Sequence, residues 1–158
     1  AFGLAMAHKV KRGVDREVFF LGCIMHDLGL TDACSGDQTF ELEGARVARN
    51  FCIESALPDE KADMIHEMVA LHNSVGVAHK RDAEVALLHY GAGCDVAGLW
   101  VGDVNKRTLE EVLSVYPDEG FLGGMVKLIR EQVTQKPHSY MSTMVELGFL
   151  KKMEARPF

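Results

Sequence analysis

The chain is 158 residues long, 47% apolar and 25% charged, the make-up of a folded protein rather than of a disordered or low-complexity segment. Its 17 Lys and Arg stand against 23 Asp and Glu, and a net charge of −6 argues against a general nucleic-acid or anionic-membrane surface. The four cysteines form no C-x-x-C pair or zinc-ribbon spacing, no apolar run reaches the ~18–20 residues of a membrane span, and no signal peptide is visible, so one cytoplasmic domain over 1–158 with reduced thiols is expected.

Helical periodicity runs the length of the chain. The stretch Ala1-Phe2-Gly3-Leu4-Ala5-Met6-Ala7 opens apolar, where a natural beginning is polar and frayed, and is expected to be the tail of a helix that starts upstream. That segment stops at Arg12-Gly13. Asp15 suits the N-cap of a second helix running through Phe19, Phe20, Leu21 and Ile24 to Asp27, broken at Gly29. Thr31 to Gln38 reads as loop. A third helix covers about Thr39 to Ser55, with Leu42, Ala45 and Val47 as buried candidates. Pro58 suits the first turn of a fourth, ending near His72-Asn73-Ser74. A fifth starts near Asp82, and Thr108-Leu-Glu-Glu111 reads as a capping box opening a short helix that ends at Tyr116-Pro117. Another spans about Phe121 to Gln135, and a last one follows Pro137. No segment alternates with period two, so the expected fold is all-α, a compact multi-helix bundle.

Three helices place a polar group on an apolar face. Phe19, Gly22, Cys23 and His26 share one stripe, as do Ile65, Met68, Val69 and His72, and Leu88, Gly91, Ala92 and Asp95. A buried carboxylate costs several kcal/mol unless it is paired or holds a cation. His26 and Asp27 are adjacent, about 100° apart round the helix, so both reach one point beyond its C-terminal end, where partial negative charge favours a cation. An imidazole with the carboxylates of Asp27 and Asp95 suits a divalent transition metal better than calcium. Taken singly, His72 reads as a core histidine and Asp95 as the partner of Arg46, Arg49 or Arg81. The His26-Asp27 doublet, backed by Asp95, tips the reading to a metal. His66 has polar or mixed neighbours and suits a surface or half-buried role, and His8, His79, His89 and His138 carry no signal. Cys23 lies beside this site but has no evident base, and Gly91-x-Gly93 lacks the context of a phosphate loop.

At these residues the chain resembles the HD-domain superfamily of metal-dependent enzymes. Phe20-Leu-Gly-Cys-Ile-Met-His26-Asp27-Leu-Gly-Leu-Thr31 is similar to its metal-binding helix end. Phe40-Glu-Leu-Glu-Gly44-Ala45, Ala70-Leu-His72-Asn73-Ser74-Val75-Gly76, Leu88-His-Tyr-Gly-Ala-Gly-Cys-Asp95-Val-Ala-Gly98 and Thr108-Leu-Glu-Glu-Val-Leu-Ser-Val-Tyr116-Pro117 resemble the cyanamide-hydratase-like branch. The likeness covers about residues 15 to 120. It implies an HD-domain bundle with His26, Asp27 and Asp95 as metal ligands and His72 as a catalytic group. The family's first histidine has no counterpart, since His8 stands only 18 residues before His26, so that ligand either precedes Ala1 or is missing.

The implied chemistry is a divalent metal ion (Zn, Fe, Mn or Ni, with Zn favoured) activating water to hydrate or hydrolyse a small cyanamide-like or nitrile-like molecule, with His72 moving a proton or orienting the substrate. Nucleotide or phosphomonoester hydrolysis is the second reading. It calls for cationic side chains, of which Lys80-Arg81 is the nearest pair. A non-catalytic helical binding module is the third. The expected partner is a small-molecule substrate, with no nucleic acid and no membrane, and homo-oligomer formation is compatible with all three.

Overall fold

The computed structural model describes residues 1–11, 13–32, 34 and 36–158 and is all-α, with nine α-helices and no strand among the described residues. The expected break at Arg12, and Ala33 and Ser35 of the expected loop, lie outside the described residues. Among the described residues no helix is long and apolar enough to cross a membrane. The helices are α1 (Phe2–Ala5), α2 (Arg16–Met25), α3 (Phe40–Glu54), α4 (Asp59–Leu71), α5 (Ala83–Ala97), α6 (Lys106–Val115), α7 (Phe121–Gln135), α8 (Tyr140–Glu146) and α9 (Phe149–Glu154). They fall into two units, one of Lys9–His89 and one of Ala1–His8 with Tyr90–Phe158.

In the Lys9–His89 unit, α2 starts where the sequence predicts. Asp15 Oδ1 accepts hydrogen bonds from the Glu17 and Val18 amides at 3.0 and 3.2 Å. The same end is tied to its neighbours: the Asp15 amide donates to Glu84 Oε1 at 2.7 Å, and Lys61 Nζ lies 3.1 Å from Asp15 Oδ2 and 2.6 Å from Glu17 Oε2. Pro58 is the N-cap of α4 rather than a first-turn residue, and its carbonyl accepts from the Lys61 and Ala62 amides. Its missing N–H is equally harmless there. Helix α4 packs against both α2 and α3 through the fully buried stripe Ala62, Ile65, Met68 and Val69. The buried face of α3 runs Phe40, Gly44, Ala45, Ala48, Cys52. Leu42, expected in the core, lies off this stripe and is exposed, Val47 is half-buried, and the acids Glu41 and Glu43 are buried instead.

A 3₁₀ turn at Leu28–Leu30 follows α2 and packs on the start of α3. A Cβ at Gly29 would sit 1.8 Å from the Phe40 carbonyl oxygen, and one at Gly44 would sit 2.8 Å from the Gly29 nitrogen. Only bare backbone fits between these segments, and that contact fixes where the chain leaves Asp27.

In the other unit, Phe2, Met6, Cys94 and Val104 form a core against which Tyr90, Trp100, Leu109 and Phe158 pack. The capping-box expectation at Thr108 is corrected: α6 begins three residues earlier than that box implies, and Asn105 caps it by accepting from the Arg107 amide at 2.9 Å. The last expected helix is two, because Gly148 takes φ 95° between α8 and α9.

Gly29→Ala is expected to cost ~2–3 kcal/mol, because the added methyl meets immovable backbone. Gly124→Ala in α7 meets nothing within 4 Å and is expected to gain ~0.5–1 kcal/mol from helix propensity. Urea unfolding midpoints of the two variants against the wild type check both signs.

Candidate active site

Helices α2 and α4 end in the same way. His26 is the C-cap of α2 and His72 the C-cap of α4. In each, ring Nδ1 lies 2.7 Å from the carbonyl oxygen three residues back, Cys23 for His26 and Val69 for His72. A carbonyl only accepts, so Nδ1 carries the proton in both rings, and each imidazole satisfies a carbonyl that its own helix leaves unmatched. Nε2 is thereby turned to the opposite side in both rings. The two rings meet edge to face with centroids 5.1 Å apart, and Phe40 packs against His72 at 5.8 Å.

Asp27 stands between them. Its Oδ2 lies 3.1 Å from His26 Nε2 and its Oδ1 lies 3.5 Å from His72 Nε2. Burial pushes the Asp27 carboxyl up, but the imidazoles of His26 and His72 outweigh it and hold the group below the ordinary carboxylate value. His72 is 5% exposed. Burial pushes its pKa down, and the Asp27 charge offsets only part of that, so the ring favours the neutral form. A neutral His72 carrying its proton on Nδ1 presents a lone pair at Nε2 to a carboxylate oxygen. Two acceptors then face each other, and a cation resolves the conflict.

Among the described residues, no group of three or more His, Cys, Asp or Glu side chains is already arranged to hold a metal ion. The donors around Asp27 nevertheless fit one as a partial set. Two ligands each ~2.0–2.2 Å from a tetrahedral ion stand ~3.3–3.6 Å apart, against 3.1 Å between His26 Nε2 and Asp27 Oδ2. The negative ends of two helix dipoles add to the attraction.

Asp95 belongs to the other unit. Its expected core-facing placement is not realised: the buried face of the last turns of α5 passes through Cys94 and Ala97, and Asp95 is exposed more than about a quarter of a turn away. Its backbone carbonyl accepts from Arg156 Nη1 at 2.7 Å. The arginines considered as its partners are engaged elsewhere, Arg46 with Glu43 at 2.9 Å, Arg49 with Asp63 at 2.6 Å and Arg81 with Glu67. Burial pushes the Cys23 thiol up to about 11, which suits packing rather than nucleophilic attack. His66 is half-buried, as its neighbours predict.

Three further residues surround His72. His89 is buried on α5, and its Nδ1 lies 2.8 Å from the His72 carbonyl oxygen. Asn73 Nδ2 donates to Glu41 Oε1 at 2.7 Å, and Glu41 is buried. Neither His89 nor Glu41 stands out in the sequence. An acid in the first turn of a helix reads as a surface group favoured by the dipole, and the loop bringing Asn73 to Glu41 has no local signature.

No family model matches this chain, and no curated protein matches it.

The buried imidazoles set the acid stability of the metal-free protein. His72 and His89 are both held below the ordinary imidazole value of 6.5, chiefly by burial. The unfolded chain therefore takes up protons that the fold refuses, and stability is full above about pH 6.5 and falls as pH drops toward the folded values. Asp27, held below 3.8, adds a second loss as pH falls through its own folded value. Urea midpoints measured from about pH 7.5 down to about pH 5 are expected to fall, and the fall should be shallower in His72→Gln. An identical slope in that variant would contradict the assignment.

Proposed function

We propose that this chain is an HD-type metal-dependent enzyme that hydrates or hydrolyses a small, weakly charged molecule of the nitrile class. The observation that carries the reading is the half-buried Asp27 carboxylate held between two imidazoles whose Nδ1 protons are committed to their own helices. When bound, a divalent ion, zinc by preference, would supply Lewis-acid activation of water near neutral pH. His26 and Asp27 would hold it, oriented by the Cys23 carbonyl and the Leu28–Leu30 turn. His72 would act from the side as proton acceptor, because burial keeps its Nε2 unprotonated at neutral pH and the Val69 carbonyl keeps the ring from turning. Asp95 remains a ligand through the resemblance alone.

The reading ranks a nitrile-like substrate above a phosphoester on charge. Catalysis at phosphate uses cationic side chains. Here Lys80 is exposed, Arg81 is paired with Glu67, and the Glu41 carboxyl acts on His72 as a negative charge.

Metal analysis of the purified protein, with turnover assays on nitriles and phosphomonoesters, tests this. The wild type is expected to hold a divalent ion and to turn over nitriles. His26→Ala and Asp27→Ala should weaken metal binding by ~100-fold or more, and Asp95→Ala should do so if the resemblance holds at that position. His72→Ala should keep the metal and lose ~10²–10⁴ in kcat. Phosphoester turnover without nitrile turnover would favour the phosphohydrolase reading, and absence of both metal and turnover would favour a binding module.

A further inference from the structure

His89 is 4% exposed on α5, and no step of the proposed reaction uses it. Its Nδ1 lies 2.8 Å from the carbonyl oxygen of His72, 17 residues back in the chain. A carbonyl only accepts, so this nitrogen carries the proton and donates it. The acceptor belongs to the residue that closes α4, since His72 is the C-cap, at φ −53° and ψ −31°. A carbonyl at that position has no partner within its own helix, and helix ends fray. Three hydrogen bonds to three different helices meet on residues 72 and 73. The His72 ring is held by the Val69 carbonyl of α4, the His72 carbonyl by His89 of α5, and the Asn73 side chain by Glu41 of α3. The first sets the rotation of the ring, and the other two hold the backbone that carries it.

We infer that His89 is a positioning residue: by donating its Nδ1 proton to the His72 carbonyl it locks the end of α4 and so holds the His72 imidazole against Asp27. The inference rests on the reading of His72 as the proton acceptor of the proposed reaction. His72 Nε2 lies 3.5 Å from Asp27 Oδ1, so a small swing of the α4 end changes what that nitrogen faces. Proton transfer works over ~2.6–3.2 Å, and a misplacement of about 1 Å costs on the order of 100-fold in rate. His26 is held from α2 through the Cys23 carbonyl, so the proposed metal ligands do not depend on the end of α4. Loss of the His89 bond therefore falls on kcat rather than on metal content.

The side chains that replace His89 separate hydrogen bonding from packing. Asn puts its amide nitrogen where the imidazole has Nδ1, whereas Leu is closer to the ring in volume and donates nothing. In the Zn²⁺-loaded full chain with cyanamide as substrate, His89→Leu is expected to lose roughly 10- to 100-fold in kcat, with KM and zinc content within about three-fold of wild type. His89→Asn should recover to within about five-fold of wild type. A residue that only fills the core gives the opposite order, because Asn leaves the larger void. Long-range ¹H–¹⁵N NMR of the metal-free proteins supplies a readout independent of activity. The His72 ring resonances should move in His89→Leu and return in His89→Asn, with those of His26 unmoved in both. If His89→Leu does not fold, His89→Gln, whose amide nitrogen sits one bond further out, takes its place with the same expectation. A His72 ring that does not move in the folded donor-less or donor-shifted variant overturns the assignment, as does a His89→Leu at least as active as His89→Asn. A wild type that does not turn over cyanamide overturns the hydration reading alone, and the NMR comparison then decides the placement of His72 by itself.

Discussion

Two helices end at one carboxylate, and the candidate chemistry depends on that meeting. Each helix leaves carbonyls unmatched at its C-terminus, and each uses a histidine to satisfy one of them, His26 at Cys23 and His72 at Val69. The same hydrogen bond does two things at once. It completes the helix end and it dictates which ring nitrogen faces Asp27. An imidazole placed mid-helix would lack this constraint. Because both rings are bound in the same sense, their Nε2 atoms and the Asp27 oxygens form a knot of polar atoms at the negative ends of two dipoles, a setting that favours a cation.

That knot survives because the backbone around it has little room to move. The turn after Asp27 is wedged against α3 at Gly29 and Gly44, where a single methyl would collide with backbone. Helix α4 presents His72 from a stripe with no solvent exposure, so the ring's position follows from the packing of Ile65, Met68 and Val69. Lys61 and Glu84 hold the far end of α2. Strength and placement thus come from the same contacts: core packing supplies the stability, and the caps translate it into a defined arrangement of donors.

Periodicity made the all-α fold and the His26 and His72 stripes legible, because a polar residue in register with three apolar or small ones is a signal that sequence carries directly. It misplaced Leu42 and Asp95, each of which lies to one side of a stripe that a short window cannot phase. It overlooked Glu41, Asn73 and His89, because their importance comes from contacts across 32 and 17 residues of chain, which local pattern does not encode. The Thr108 capping box was mistaken for a helix start because Asn105, three residues earlier, offers a better N-cap, and the one whose side chain meets an amide wins.

The arrangement of protons and donors around Asp27 is the central claim, and long-range ¹H–¹⁵N NMR of the histidine rings reads it directly. The account predicts Nδ1 protonated in both His26 and His72 near neutral pH, with one equivalent of Zn²⁺ shifting the Nε2 resonances of these two rings and leaving His66 and His138 unmoved. Rings protonated on Nε2 alone, or Nε2 resonances of His26 and His72 that ignore the metal, would contradict it.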